Sequence, residues 1–454
     1  VSLRRRLEPW VVAALTSDGL RDVRRGVAEF RRRVARAPHR VLWFHQVDDP
    51  YSQLGAQVLE RFAARWNIEL VPLLVGPPPD DAAPERARLD AFARKDAADV
   101  APGYRLDFPR DALAPAPALV AQATRVLAGV PPAAFPALAP RIGDALWRGD
   151  AAALDALERE SAPVSEVAAR AAVESGTERR HRLGHYLGGM FYYGGEWYWG
   201  VDRLAHLEER LAGLGLARSA DAAPLVAPPE LPARSTESSD RWTLEFFCSL
   251  RSPYSYIAME RVFALPDRLP VDIALRPVLP MVMRGLPVPA AKRLYIVLDT
   301  RREARRAGVP FGRVCDPVGR PVERAFQLYP WARERGRAAE FLHAFARAAF
   351  AEGVDTGSDA GLRAVVERAG LSWDEARAEQ AVDRGWREEL EANRETLFAL
   401  GLWGVPSFRL LGRPGESDFW TWGQDRIWRI EAEVHARLAA TPSSGRRSPT
   451  ASGR

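Results

Sequence analysis

Trp242-Thr243-Leu244-Glu245-Phe246-Phe247-Cys248 runs through Ser249-Leu250-Arg251 into Ser252-Pro253-Tyr254-Ser255. The first seven residues are mostly apolar and β-prone, which predicts a buried strand. Apolar residues then recur at helical spacing from Tyr254 to about Phe263, with Pro253 in the first turn, where a missing N–H would be unpaired anyway. Ser252 therefore stands at a strand exit and a helix entrance. Unpaired backbone N–H groups and the positive end of the helix dipole converge at such a place, which suits an anion or a thiolate. The plainer alternative is that Ser252 only caps its helix.

Working outward, residues 271–278 read as the next strand and 289–400 as a mainly helical block. Gly404-Val405-Pro406-Ser407-Phe408 then leads a strand pair, and Trp422-Gly423-Gln424-Asp425-Arg426 opens a final helix. The first half of the chain repeats this order. It has a strand at 41–45, Asp49-Pro50-Tyr51-Ser52 opening a helix over 53–66, a strand at 68–75, helices over about 112–176, and a hairpin of 190–193 and 196–199 around Gly194-Gly195. Two matches anchor the repeat: Pro50-Tyr51-Ser52 with Pro253-Tyr254-Ser255, and Trp199-Gly200-x-Asp202-Arg203 with Trp422-Gly423-x-Asp425-Arg426. Each half reads β-α-β, helical insertion, β-β-α. The expected fold class is α/β, as two tandem thioredoxin-like domains, each with a helical insertion. The expected boundaries are amphipathic helices at 1–38 packed on the first domain, a first domain at 39–216 and a linker at 217–240. A second domain at 241–440 and a disordered tail at 441–454 complete the division.

Composition bounds the function. At 454 residues the chain is too long for one typical domain, and 47% hydrophobic with 27% charged residues fits a soluble globular protein. The net charge of +5, from 64 basic and 59 acidic residues, is a mild imbalance, so no nucleic-acid partner is expected. No apolar run is long enough to span a bilayer, and charges interrupt the segment after Val1 to Trp10, so neither a membrane partner nor a secretory signal is expected and the location reads as cytoplasmic. One Arg-rich arm, with Leu20, Val23, Val27, Phe30 and Val34 at helical spacing, leaves a membrane-surface or nucleic-acid role as an alternative. The only cysteines, Cys248 and Cys315, form no Cys-x-x-Cys and read as buried thiols. Seven scattered His, with His181 and His185 lacking an intervening Glu, give no metal site.

Four stretches taken together resemble a known family. They are Phe246-Phe247 through Ser252-Pro253-Tyr254-Ser255-Tyr256; Lys292-x-x-Tyr295-x-x-x-Asp299-x-x-Arg302; Gly404-Val405-Pro406-Ser407-Phe408; and Trp422-Gly423-Gln424-Asp425-Arg426. Over about 241–437 the chain resembles the glutathione-using branch of the DsbA-like thioredoxin superfamily, the 2-hydroxychromene-2-carboxylate isomerases and kappa-class glutathione transferases. The resemblance implies glutathione as cofactor. It makes Ser252 the catalytic hydroxyl beside the glutathione thiolate, and Pro406 a cis-proline presenting the backbone of Val405 to an extended peptide. It places Lys292 on the glycyl carboxylate and Gln424 with Asp425 at the γ-glutamyl end. Arg251, Tyr254, Ser255 and Tyr295 are candidates for substrate contact. Lys292, Tyr295, Asp299 and Arg302 share one helical face, for which a solvated charge stripe is the alternative.

Two features depart from the family pattern. Ser249-Leu250-Arg251 stands where members carry Asp or Asn, and no Asn lies between Arg276 and Lys292. In the first half, Asp49 replaces the serine and Gly189 takes the place of Pro406. A carboxylate repels a thiolate, so this half reads as a degenerate domain that packs on the second, with binding of a cationic or neutral ligand at Asp48 and Asp49 as the alternative. The aromatic run 191–199 reads as strand and interface core. The expected function is a thiol-dependent isomerase or transferase acting on a small electrophilic substrate, aromatic ones included. The alternatives are a non-catalytic scaffold of two worn thioredoxin-like domains, with a homo-oligomer possible, and a disulfide oxidoreductase by superfamily alone, opposed by the absent Cys-x-x-Cys.

Overall fold

The computed structural model describes residues 3–219, 223–231 and 241–440. The expected tail at 441–454 and, of the expected linker at 217–240, residues 220–222 and 232–240 lie outside the described residues. Two four-stranded mixed sheets organise the chain. The first contains β1 (Arg40–His45), β2 (Glu69–Leu74), β3 (Met190–Tyr193) and β4 (Glu196–Trp199), in the order β2-β1-β3-β4. The second contains β5 (Trp242–Cys248), β6 (Val271–Pro277), β7 (Ser407–Leu410) and β8 (Phe419–Trp422), in the order β6-β5-β7-β8. In both, the first strand pairs parallel with the second and antiparallel with the third. β1 and β5 are buried along nearly their whole length, as expected of central strands covered by helices on both faces.

The helices of the first half are α1 (Leu3–Leu15), α2 (Asp18–Val34), α3 (Pro50–Ala56), α4 (Leu59–Arg65), α5 (Arg86–Val100), α6 (Pro117–Gly129), α7 (Phe135–Trp147), α8 (Ala151–Glu160), α9 (Glu166–Arg182) and α10 (Leu204–Gly213). Those of the second half are α11 (Pro253–Phe263), α12 (Ala290–Ala307), α13 (Arg320–Glu334), α14 (Ala338–Arg347), α15 (Asp359–Arg368), α16 (Trp373–Glu379), α17 (Trp386–Ala399) and α18 (Ile427–Ala440). The helix expected over 53–66 is two short helices, α3 and α4. Gly55, near the end of α3, lies on Trp43 so closely that a Cβ would sit 2.2 Å from the indole. Just beyond, the Gln57 amide is spent on the backbone of Asp107, which holds the chain where the helix stops.

Two large apolar cores form, one within each half. Both cysteines are buried within the second half, and burial pushes the Cys248 thiol up to about 12, so it is no nucleophile at neutral pH. Among the described residues no helix is long and apolar enough to cross a membrane.

The N-terminal helices correct an expectation. α1 does not pack on the first half: Glu8 accepts from the backbone N–H of Asp316, and Val12 packs against the core of the second half. α2 does lie on the first half, but by its charged face, through a bidentate Arg25–Glu196 pair at 2.7 and 2.8 Å. Its apolar stripe points away: Val23, Val27, Phe30 and Val34 are 61, 43, 68 and 69% exposed.

Candidate functional site

Ser252 is the N-cap of α11. Its Oγ accepts from the Ser255 N–H at 3.1 Å and donates to the Val405 carbonyl at 3.3 Å. The capping alternative is therefore realised, and the same hydroxyl also faces the loop before β7. The Val405–Pro406 peptide is cis. The Pro406 carbonyl accepts from the Gly423 N–H at 2.9 Å, which ties this loop to the turn that opens α18. Gly404 has no room for a side chain, since a Cβ would lie 2.0 Å from the Trp422 ring. Trp403 meets Trp422 edge-on at 5.2 Å, so an aromatic wall stands beside Ser252.

These groups line a cavity of about 620 Å³ that takes residues from both halves. Tyr254, Lys292, Tyr295, Val405, Pro406 and Asp425 line it from the second half, and Asp48, Asp49, Tyr51, Arg86 and Asp90 from the first. The volume is that of a small-molecule site. Three polar groups in its wall are poorly matched by the protein. Burial lowers the Lys292 ammonium to about 8 against the opposing charge of Asp81; it donates to the Ala82 carbonyl of the first half at 2.8 Å and lies 5.7 Å over Trp403, and among the described residues no carboxylate forms an ion pair with it. The Tyr295 hydroxyl and the Ser249 hydroxyl are buried without a hydrogen-bond partner among the described residues. An ammonium has three donors, so Lys292 keeps two in reserve.

Other expected residues are placed differently. Ser255 is fully buried behind the wall, where its Oγ accepts from the Ser249 N–H at 3.3 Å. Arg251 is neutralised by a bidentate pair with Asp316 at 2.7 and 2.6 Å. The Gln424 amide is committed, donating to Glu303 at 2.8 Å and accepting from Arg261. Asp425 accepts from Arg203 of the first half at 2.8 Å, and the Arg426 and Arg203 guanidiniums hold it below the usual carboxylate range against the opposing effect of burial.

That contact belongs to a reciprocal arrangement. Arg203 is forked onto Asp299 and reaches Asp425, while Tyr254 donates to Asp299 at 2.8 Å. Arg426 is forked onto Asp96 and reaches Asp202, while Tyr51 donates to Asp96 at 2.9 Å. Each half thus sends the Arg of its Trp-Gly-x-Asp-Arg stretch to the two carboxylates that correspond to those meeting its counterpart. The stripe of α12 is accordingly an interface: Asp299 is 1% exposed, and Arg302 stacks over Tyr198 at 4.4 Å. The Trp-Gly-x-Asp-Arg repeat marked these arginines in the sequence, but nothing local showed that they cross between halves. Asp96 and Trp403 carried no sequence signal of a place in or beside the site, and Ser249 was marked only as a departure from the family pattern.

The counterpart of Ser252 in the first half is Asp49, whose carboxylate accepts from the N–H groups of Tyr51 and Ser52 and from the Ser52 hydroxyl. The Gly200 N–H donates to the Gly189 carbonyl at 2.7 Å, as Gly423 does to Pro406, so Gly189 holds the place of Pro406. Its φ of +62°, and the Asp49 oxygen 3.0 Å from where a Cβ would be, account for glycine there. Burial raises the Asp49 carboxyl to about 6 despite the hydrogen bonds from Ser52 and Tyr51, with Asp48 adding to the rise. The folded chain then holds this proton more tightly than the unfolded chain does. Charge at Asp49 opposes folding by nothing below about pH 4, increasingly above it, and fully above the folded value. Asp49→Asn should therefore melt higher than the wild type at pH 8, by roughly 1–2 kcal/mol, with the gap closing toward pH 4. Thermal melts across that range check it, and a gap that does not vary with pH would remove the shift.

Comparison with known proteins matches part of the chain. Residues 243–435 match the DSBA-like thioredoxin domain. The matched stretch contains Ser252, Pro406 and Asp425, and the match does not extend to the first half. A search of curated sequences finds no match. Among solved structures, a 2-hydroxychromene-2-carboxylate isomerase is 20% identical, with 43% of this chain and 96% of the other covered and a TM-score of 0.36. The cytosolic disulfide reductase DsbM of Pseudomonas aeruginosa is 22% identical, with 43% and 99% covered and a TM-score of 0.32. A structure of the same reductase with GSH is 21% identical, with 43% and 100% covered and a TM-score of 0.31.

Proposed function

We propose that the chain is a tandem duplication of a DsbA-like domain with one working site, in the second domain, and that this site binds glutathione or a similar thiol for isomerisation or conjugation of a small electrophile. Ser252 carries this reading: a helix-capping hydroxyl facing the Val405 carbonyl, on the wall of a cavity of about 620 Å³. A bound glutathione would supply the thiol. Lys292, half-buried and in no ion pair among the described residues, suits a glycyl carboxylate, and the Tyr295 and Ser249 hydroxyls, without a hydrogen-bond partner among the described residues, offer further polar contacts. Val405 precedes a proline at the lip of β7 and offers its carbonyl to an extended backbone. Gln424 and Asp425 would contribute through the first turn leading into α18, since the Gln424 side chain is already occupied and Asp425 is shared with Arg203.

The reciprocal Arg–Asp clusters support duplication, because corresponding residues meeting corresponding residues is the pattern of a two-fold interface. The first domain then acts as a fixed partner that closes the cavity. Its Asp49 favours a structural part, and the occupied Gln424 amide is the observation that favours the scaffold alternative. Calorimetric titration with glutathione separates the two. The enzyme reading expects binding between micromolar and millimolar, weakened about tenfold in Lys292→Met by loss of one charge-assisted contact. Absence of any binding would favour the scaffold.

A further inference from the structure

The N-terminal helix α2 is turned the opposite way from an ordinary surface helix. On a helical wheel Val23, Val27, Phe30 and Val34 fall at i, i+4, i+7 and i+11, one continuous stripe. A globular protein normally buries such a stripe, yet all four are exposed. The face that meets the protein is the charged one. Arg25 is forked onto Glu196, and Asp18 accepts from Arg305 at 3.4 Å. The fold thus spends polar contacts to hold an apolar face outward.

The edges of the stripe say what covers it. Residues 18–36 carry seven arginines against three carboxylates. Arg24 and Arg31 run along one edge, both exposed and without an ion pair among the described residues. Arg33, with a side chain 72% exposed, lies along the other, and Arg36 is exposed just past the end of the helix. The three carboxylates are held by Arg21, Arg32 and Arg33 from within the helix, and Asp18 also by Arg305. A second copy is poorly suited. An antiparallel two-fold pairing sets the Arg24–Arg31 edge against itself, and a parallel one sets it against the Arg33 edge, so like charges meet in both. An anionic lipid surface fits both parts, with headgroup phosphates for the arginines and the acyl boundary for Val27 and Phe30. The preceding helix α1 adds exposed Leu7, Trp10 and Val11.

We propose that α2 is an interfacial helix that docks the full chain on an anionic membrane surface, with Val23, Val27, Phe30 and Val34 inserted and the arginines at the headgroups. This favours the membrane-surface alternative that the Arg-rich arm left open over the expectation of no membrane partner, and it is independent of the reaction at Ser252. The test is co-sedimentation of the full chain with phosphatidylcholine vesicles, with and without phosphatidylserine, at low and physiological salt. The wild type is expected to sediment with the anionic vesicles only, less at higher salt. The pair Val27→Ser and Phe30→Ser should lose most of this, about tenfold or more, and the pair Arg24→Gln and Arg31→Gln should weaken it about tenfold. Circular dichroism melts should stay unchanged, because none of the four side chains contacts the core. The proposal is overturned if the wild type leaves anionic vesicles unbound at low salt or if the apolar pair binds like the wild type. It is also overturned if light scattering shows a dimer that Phe30→Ser disperses, since the stripe would then belong to a second copy.

Discussion

Arg203→Met is expected to lower the stability of the whole chain by about 3–5 kcal/mol, the usual result of removing one partner from a buried ion pair. The Arg203 side chain is 3% exposed and forked onto Asp299, which is 1% exposed, with Glu303 and Asp425 within reach. The guanidinium carries the charge that compensates these carboxylates, and methionine fills the volume without compensating anything. Asp299 would retain only the Tyr254 hydroxyl and a more distant Arg302 at 3.5 Å. A reciprocal experiment distinguishes charge from packing. Adding Asp299→Asn to Arg203→Met removes the orphaned charge and should recover part of the loss, whereas a pure packing defect would only deepen. Arg426→Met, with Asp96 and Asp202 left behind, should behave like Arg203→Met if the two clusters are equivalent. Urea or thermal unfolding of the full chain reads all three variants, and an unchanged midpoint for Arg203→Met would show that the cluster contributes nothing net.

The same clusters mark where sequence reasoning stopped. The strands were legible because apolar alternation and turn residues are local: 190–193, 196–199 and 242–248 coincide with the observed strands. The repeat was legible because Trp-Gly-x-Asp-Arg recurs after each hairpin. The destination of its arginines was not, because Arg426 meets Asp96 across 330 residues, and an Arg or Asp on a helix looks the same whether it meets solvent or another helix. Asp299 and Arg302 showed a shared face but not what faced it. α2 shows the converse error. Its amphipathic period was read correctly, but the pattern says only that two faces differ, and the partner, Glu196, selected the charged one. At the site, the strand–Ser252–helix junction could be read from residue order. The three-dimensional facts could not: the Ser249 and Tyr295 hydroxyls without a hydrogen-bond partner among the described residues, and Lys292 reaching the Ala82 carbonyl of the other half.

Ser252→Ala should reduce turnover by on the order of 10²-fold while removing no more than about 1 kcal/mol of stability. The two magnitudes differ because the hydroxyl has two separable duties. As a cap it accepts from the Ser255 N–H, and alanine forfeits that bond and nothing larger. As a donor it has one proton, given in the structure to the Val405 carbonyl at 3.3 Å, a long and weak bond. A sulfur anion held at the start of α11 would compete for that proton, and a charge-assisted bond is about twice as strong as a neutral one. The helix terminus adds its own stabilisation of negative charge and survives the substitution. The acidity of the bound thiol should therefore move only partly back toward its ordinary value near 8.5 in the variant. Ultraviolet titration of the thiolate band with glutathione bound measures that shift, and initial rates with an activated aryl halide measure turnover. A variant that binds glutathione as before, with unchanged thiol acidity and unchanged rates, would reduce Ser252 to its cap and leave the cavity without a catalytic hydroxyl.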